Sequence, residues 1–379
     1  MNFEKITEYL DSLPGRYGIP STDCIIMKDH EQVYRHMNGT VDADGKIPVS
    51  EKTQYLMYSM TKIQTMTALM QLVEAGKISL DDEVAKYLPA YGNLFVEEHF
   101  EDTIRIVPAK QPMLIRHLVS MQSGLDYNLE RGGIKAALAK YGPGATTRQI
   151  VDGFPKTPLL FHPGEHFLYS LSHDVIGAII EVVSGQSFSE YLTKHIWKPL
   201  GMKRTSFFMK EGQESELAQQ FRVSENGKIE PMENDCNYRL SDVYESGGAG
   251  LVSCTEDYAV LADVLACGGT SRDGYRLLKP ETIETIRTDL LTEQGHRDME
   301  RTMGRFGYGY GVGMQILMHP EEIGSCALPG VFGWDGAAGS CTIMSPEKKT
   351  ALVFAIHVRN FGASYGEIHP RLRDLLFED

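Results

Sequence analysis

Residues 53–76 read TQYLMYSMTKIQTMTALMQLVEAG, and the fold turns on how this stretch is read. Its first six residues are rich in aromatic and β-branched types, the composition of extended chain. Beyond them Ile63, Met66, Leu69, Met70 and Val73 recur at helical spacing as far as Gly76. The junction holds Ser59-Met60-Thr61-Lys62, an S-x-x-K tetrad. A serine and a lysine three apart on a helix lie on nearly the same face, one turn apart. A serine hydroxyl is a poor nucleophile at neutral pH and needs a neighbouring base. A lysine can serve when burial or a nearby cation depresses its pKa. The same tetrad also fits an exposed N-cap serine followed by a solvated lysine. The rest of the chain has to choose between them.

Working outward, 379 residues are enough for a large core and for two to three domain-sized units. Apolar content of 42% and charged content of 23% are those of an ordinary globular protein. A formal net charge of −14 without a long basic run argues against nucleic acid as a partner. It also argues against anionic membrane surfaces. The first twenty residues lack the basic-then-apolar pattern of a signal peptide, and no apolar run reaches membrane-spanning length. The six cysteines (Cys24, Cys236, Cys254, Cys267, Cys326, Cys341) form no C-x-x-C pair. Reduced thiols in a cytoplasmic protein fit this usage best.

Along the chain, the pattern predicts a helix over 2–13 closed by Pro14-Gly15. Strands over 23–27 and 32–37 follow, joined by a turn around Asp29-His30. Residues 79–88 (SLDDEVAKYL) read as a helix before Pro89, and 172–184 as a long helix running into Gly185. Residues 245–252, 307–314, 330–340 and 350–358 read as glycine-punctuated strands, and 257–266 and 370–377 as helices. The expected fold is therefore α/β (α+β): an antiparallel sheet flanked by helices and interrupted by a mostly helical domain. Residues 1–79 with 236–379 would form the α/β unit, and 80–235 the insertion.

Three competing chemistries are weak. Gly362-Ala363-Ser364-Tyr365-Gly366 is formally G-x-S-x-G. Only 13 residues follow it, too few for the acid and histidine strands an α/β-hydrolase needs, so a surface turn is expected. His162 and His166 are separated by Pro163-Gly164 and cannot share a helical face, and His195 has no companion, so no metal is expected. Residues 307–313 (GYGYGVG) lack a following G-K-[ST], which removes a P-loop. No cofactor is called for. For Ser59 and Lys62, Tyr169 is the best-placed further proton carrier, on a loop just before the 172–184 helix.

Taken in order, these segments resemble the serine β-lactamase/penicillin-recognising superfamily in its class C-like branch, and most closely the family VIII carboxylesterases. Y-S-M-T-K (58–62) resembles the first motif, which implies Ser59 as nucleophile and Lys62 as its base. Residues 115–125 (IRHLVSMQSGL) resemble a family segment ending in SGL. Tyr169-Ser170-Leu171 resembles the Tyr-x-Asn motif and implies Tyr169 as general acid/base. Residues 246–257 and 307–313 resemble two glycine strands of the family. Residues 333–339 (GWDGAAG) resemble the third motif, implying an oxyanion hole from the N–H groups of Ser59 and Ala337 beside Gly336.

The chain departs from the pattern at the substrate end. Leu171 replaces the asparagine whose amide holds a substrate amide. Trp334 replaces the Lys or His that binds a substrate carboxylate, offering apolar area and one N–H. Asp335 would repel an anion by roughly 3 kcal/mol at ~5 Å and an effective dielectric near 20. With Gly336 these positions imply a neutral, partly apolar ester as substrate and a serine carboxylesterase as activity. A β-lactamase, D-amino-acid peptidase or acyltransferase on the same site stays open, as does a penicillin-binding module without turnover.

Overall fold

The computed structural model describes residues 1–100 and 103–378. Helix α1 (Phe3–Tyr17) leads into strands β1 (Ser21–Lys28) and β2 (Glu31–Gly39). The helices that matter most next are α2 (Thr61–Glu74), α3 (Ser172–Ser184) and α4 (Thr255–Ala266). The chain then returns to the sheet with β3 (Tyr308–Tyr310), β4 (Gln315–Leu317), β5 (Phe332–Asp335), β6 (Cys341–Ser345) and β7 (Thr350–Ala355), and closes with α5 (His369–Leu375). These strands make one seven-stranded sheet in the order β2-β1-β7-β6-β5-β4-β3. Every neighbouring pair is antiparallel. Asp29 and His30 both take positive φ (49° and 69°), as a two-residue hairpin turn between right-twisted strands requires.

Side-chain alternation divides the core between the two faces of this sheet. Ile26, Ile343, Leu352 and Phe354 pack with Ile6, Leu10 and Leu13 of α1 and with Leu372 and Leu375 of α5. Ile25, Phe332, Trp334, Met344 and Val353 face the other way, onto Ile63 and Met66 of α2 and Leu261 of α4. That second cluster continues into Ile176, Ile179 and Phe188, so the mostly helical middle shares a core with the sheet. The middle also holds a hairpin, Phe95–Phe100 with Thr103–Pro108, and a pair Gln220–Val223 with Ile229–Met232. The six cysteines are free thiols. Among the described residues no helix is long and apolar enough to cross a membrane.

Local expectations fail where side chains or distant backbone compete. Residues 79–88 form no α-helix. Asp82 accepts from the Ser79 N–H at 2.7 Å, and the Val84 N–H turns to the Met113 carbonyl. Helix α1 runs through Pro14 and ends three residues later at Tyr17, where Gly18 takes the left-handed φ of 72° and its N–H caps the Pro14 carbonyl. In 245–252 only Val252 enters a strand, and the glycines before it form a loop. Ser364 is fully buried at the entry to the last helix, not on a surface turn, and G-x-S-x-G makes no nucleophile elbow here.

Candidate active site

Ser59 sits where extended chain turns abruptly into helix. The short strand Tyr55–Leu56 pairs with Val252–Ser253, and a 3₁₀ turn over Tyr58–Met60 feeds α2. Tyr58 bears the strain of that turn, with φ of 45°, unusual for a bulky residue. Its buried hydroxyl is held by the Gln220 side chain and by the Asp235 carbonyl at 3.1 Å. Ser59 is half-buried at the positive end of α2, while Lys62, one turn on, is fully buried.

The Lys62 ammonium reaches Ser59 Oγ at 3.1 Å, Tyr127 OH at 2.8 Å and the Gly248 carbonyl at 2.7 Å. Burial pulls its pKa from 10.5 to about 7, against the opposing pull of Asp174 and Asp335. Tyr169 takes a hydrogen bond from Ser59, and the Trp334 indole N–H donates to its hydroxyl at 2.8 Å. Burial holds the Tyr169 phenol well above its ordinary pKa, so it stays protonated. Lys62 Nζ lies 4.7 Å from the Tyr169 ring centroid, a cation–π distance that also favours the site's present arrangement.

The loops carrying Tyr127 and Tyr169 are tied to each other. The Leu168 N–H bonds the Met121 carbonyl and the Leu171 N–H the Asp126 carbonyl. Hydroxyls of Ser123, Ser172 and Ser170 form a buried chain, 2.8 Å per step. The two rings come to lie 5.4 Å apart. From the other side, Gly248 brings its carbonyl onto Lys62; a Cβ there would lie 2.6 Å from Asp174 Oδ2. Asp174 is fully buried on α3, accepts from Tyr244 OH at 2.9 Å, and has its carboxyl pushed up by that burial.

The strand past β5 supplies the last wall. A Cβ on Gly336 would lie 2.4 Å from the Met57 carbonyl and 2.6 Å from Ser340 Oγ, so only glycine lets this backbone approach the Ser59 turn. The Gly336 carbonyl accepts from Tyr365 OH at 3.0 Å. The carbonyls of Ala337 and Ala338 accept from the N–H groups of Asn360 and Val358, both at 3.0 Å. The backbone bonds of the described turns and loops use neither the Ala337 N–H nor the Ser59 N–H.

Three expected substrate contacts are placed otherwise. Trp334 is buried, with its N–H given to Tyr169 and its ring edge-on to Tyr310 at 5.1 Å, so its one donor is already engaged in backing Tyr169. Asp335, one residue on and therefore facing the opposite side of the sheet, is ion-paired with Arg305 and has His369 at 3.9 Å. Burial alone would raise its carboxyl; Arg305 and His369 outweigh it and hold it below the ordinary range. The charge is paired with Arg305, which offsets the repulsion expected of it, although it still reaches Lys62. Leu171 is buried and lines a cavity with Gly124, Ile134 and Phe154.

Sequence reasoning missed Tyr127 and Asp174. Tyr127 follows the S-G-L segment by two residues, and Asp174 follows Tyr169 by five; both lie beside segments already singled out. Among the described residues the histidines in question have ordinary partners, His162 with Glu98 at 3.0 Å and His166 with Asp298 at 2.8 Å.

An antiparallel sheet between two helical layers, with a Ser-x-x-Lys pair at the start of a helix packed on its inner face, defines the β-lactamase/transpeptidase fold. The chain belongs to the Beta-lactamase family, whose model matches residues 6–376. It is 28% identical over 364 residues to an Escherichia coli K12 protein named, provisionally, as a D-alanyl-D-alanine carboxypeptidase, covering 89% of this chain and 78% of that one. It is 27% identical over 376 residues to the acyltransferase calJ of Penicillium decumbens, covering 92% and 87%. Among solved structures, EstCE1, described as a hydrolase with promiscuous acyltransferase activity, superposes with a TM-score of 0.80 at 24% identity. The match spans 99% of this chain and 98% of that one.

Proposed function

We propose that this protein is a serine hydrolase that cleaves carboxylic esters through an acyl-serine on Ser59. The observation that carries the reading is the buried Lys62 amine, 3.1 Å from Ser59 Oγ with its pKa drawn down to about 7. An amine half-neutral at neutral pH accepts the serine proton as Oγ attacks the ester carbonyl. The developing oxyanion has two donors available, the N–H groups of Ser59 and Ala337. Tyr169, protonated and oriented by Trp334, gives its proton to the departing alkoxide and recovers one from Lys62. Water then attacks the acyl-serine by the same route in reverse. An alkoxide needs less help to leave than an amine, which suits a site with Leu171 where an amide donor would stand.

Transfer to an alcohol in place of water is the second reading. It is favoured by the chain's similarity to the acyltransferase calJ and to EstCE1, a hydrolase with promiscuous acyltransferase activity. Hydrolysis of p-nitrophenyl butyrate tests both readings. Ser59→Ala is expected to fall to background, and Tyr169→Phe to lose about 10²–10⁴-fold in kcat. Full activity in Ser59→Ala would overturn the mechanism. Butyl ester formed in excess over butyrate when butanol is added would assign the transferase.

A further inference from the structure

Trp334 takes the cation out of the third motif, yet the cleft wall is not without positive charge. Arg359 ends the short strand Val358–Arg359, between the two residues whose N–H groups bond Ala338 and Ala337. Its guanidinium carbon lies 5.0 Å from the ring centroid of Tyr58, the residue before Ser59. Its charge is felt by Tyr58, Tyr238 and Tyr365, which lowers each of those phenols against the larger effect of their burial. Tyr238 in turn packs on Tyr127 at 5.4 Å, and Tyr365 bonds Gly336. The guanidinium therefore stands among aromatic side chains that adjoin the Ser59 turn, Tyr127 and Gly336, and next to the Ala337–Ala338 backbone. Arg359 Nε is buried without an acceptor. No carboxylate among the described residues forms an ion pair with Arg359, although Asp235 lies near Tyr58. Twenty-four residues earlier, Asp335 shows the contrast: its charge is taken up by Arg305.

A partly buried guanidinium without an acid is costly, because desolvation is not offset. It also matches a carboxylate better than any other side chain can, through its forked donors. We propose that Arg359 is a substrate-recognition residue that binds a carboxylate carried by the ester, away from the carbonyl that Ser59 attacks. The substrate class is then a monoanionic ester, not the neutral one implied by Trp334 and Asp335. This rests on the reading of Ser59 as an ester-cleaving nucleophile.

Two matched pairs of esters test it, each exchanging the carboxylate for an uncharged group of similar size. Mono-p-nitrophenyl glutarate against p-nitrophenyl pentanoate places the carboxylate on the acyl side; 4-acetoxybenzoate against its methyl ester places it on the alcohol side. Wild type is expected to favour the anionic member of at least one pair, and added salt to erode that preference. Arg359→Gln should lower the anionic-to-neutral ratio of kcat/KM at least tenfold, mainly through KM, and Arg359→Lys should retain part of it. If both ratios are the same in Arg359→Gln as in wild type while esters are still turned over, the recognition role fails and the esterase reading stands. If none of the four esters is cleaved, the esterase reading fails. Thermal shift with free glutarate then decides the anion site: stabilisation of wild type and Arg359→Lys but not Arg359→Gln supports it, and no shift in any of the three overturns it.

Discussion

Lys62 is the residue on which the proposed chemistry depends, and its surroundings explain both its charge state and its aim. An ammonium removed from water loses hydration that two tyrosine rings, two hydroxyls and one carbonyl only partly restore. Its pKa falls to about 7 because burial outweighs the nearby acids. The sign for activity follows directly. Below that value the amine carries a proton and cannot accept the one from Ser59; above it the amine is free. Burial keeps Tyr169 a phenol throughout, so no acid is lost on the alkaline side. The expected profile of kcat/KM against pH is a single rising limb with a midpoint near 7 and a plateau beyond, measured with an uncharged ester between pH 5 and 9.5. A second limb falling between pH 8 and 9.5 would contradict the assignment of Tyr169 as the proton donor. That Ser59, Lys62 and Tyr169 come together was legible because a local spacing and an ordered set of segments mark them. Tyr127 was not, because its bond to Lys62 spans 65 residues and is created by the pairing of two loops. Asp335 was legible as a charge but not as a neutralised one, since Arg305 gives no local sign of being its partner.

At the scale of elements, the site is assembled by backbone that comes closer than side chains normally permit. The loop before Val252 shows this. Gly247 lies against the His173 carbonyl, where a Cβ would be 2.4 Å away, and Gly248 against Asp174, Tyr127 and Lys62. Gly248 has no positive φ, so its need for glycine is one of space alone. Gly248→Ala forces Asp174 and Tyr127 outward and drags the Lys62 acceptor with them. A drop of at least a hundredfold in kcat/KM is expected, with a loss of about 1–3 kcal/mol in stability. Gly362→Ala, where a Cβ meets nothing within 4 Å, serves as the control and should change neither. Wild-type kinetics in Gly248→Ala would show that this loop does not position Lys62. The same crowding explains why 245–252 misread as a strand: glycines chosen for close approach mimic the glycines of a strand. Helix α3 was read to its last residue, because its apolar period and the left-handed Gly185 agree. Residues 79–88 carried an equally good helical pattern, but Ser79 and Asp82 bond each other and the backbone prefers residues 113–116 as partners.

At the scale of the whole molecule, the sheet works as a partition. One face holds α2 and α4 and, through them, the Ser59 turn; the other is sealed by the two terminal helices. The antiparallel sheet with flanking helices was legible from strand and helix patterns at the two ends of the chain. The hairpin Phe95–Phe100 with Thr103–Pro108 was not, since its first strand, FVEEHF, has no period-two alternation and the Phe95, Ile104 and Ile106 side chains are exposed. The partition makes stability and catalysis separable. Leu372 of α5 is fully buried against Leu352 and Phe354, on the face opposite Ser59. Leu372→Ala removes three carbons from a closed apolar layer and leaves a cavity, a cost of about 2–5 kcal/mol. The thermal midpoint should fall by several degrees. Ser59, Lys62 and Tyr169 pack on the other layer, so kcat/KM at 25 °C and the midpoint of the pH profile should stay at wild-type values. Thermal denaturation and pH kinetics on the same preparation check both halves. A shifted pH midpoint would mean that the sheet transmits strain from one face to the other, and that the Lys62 environment is set by the whole sandwich and not by its own layer.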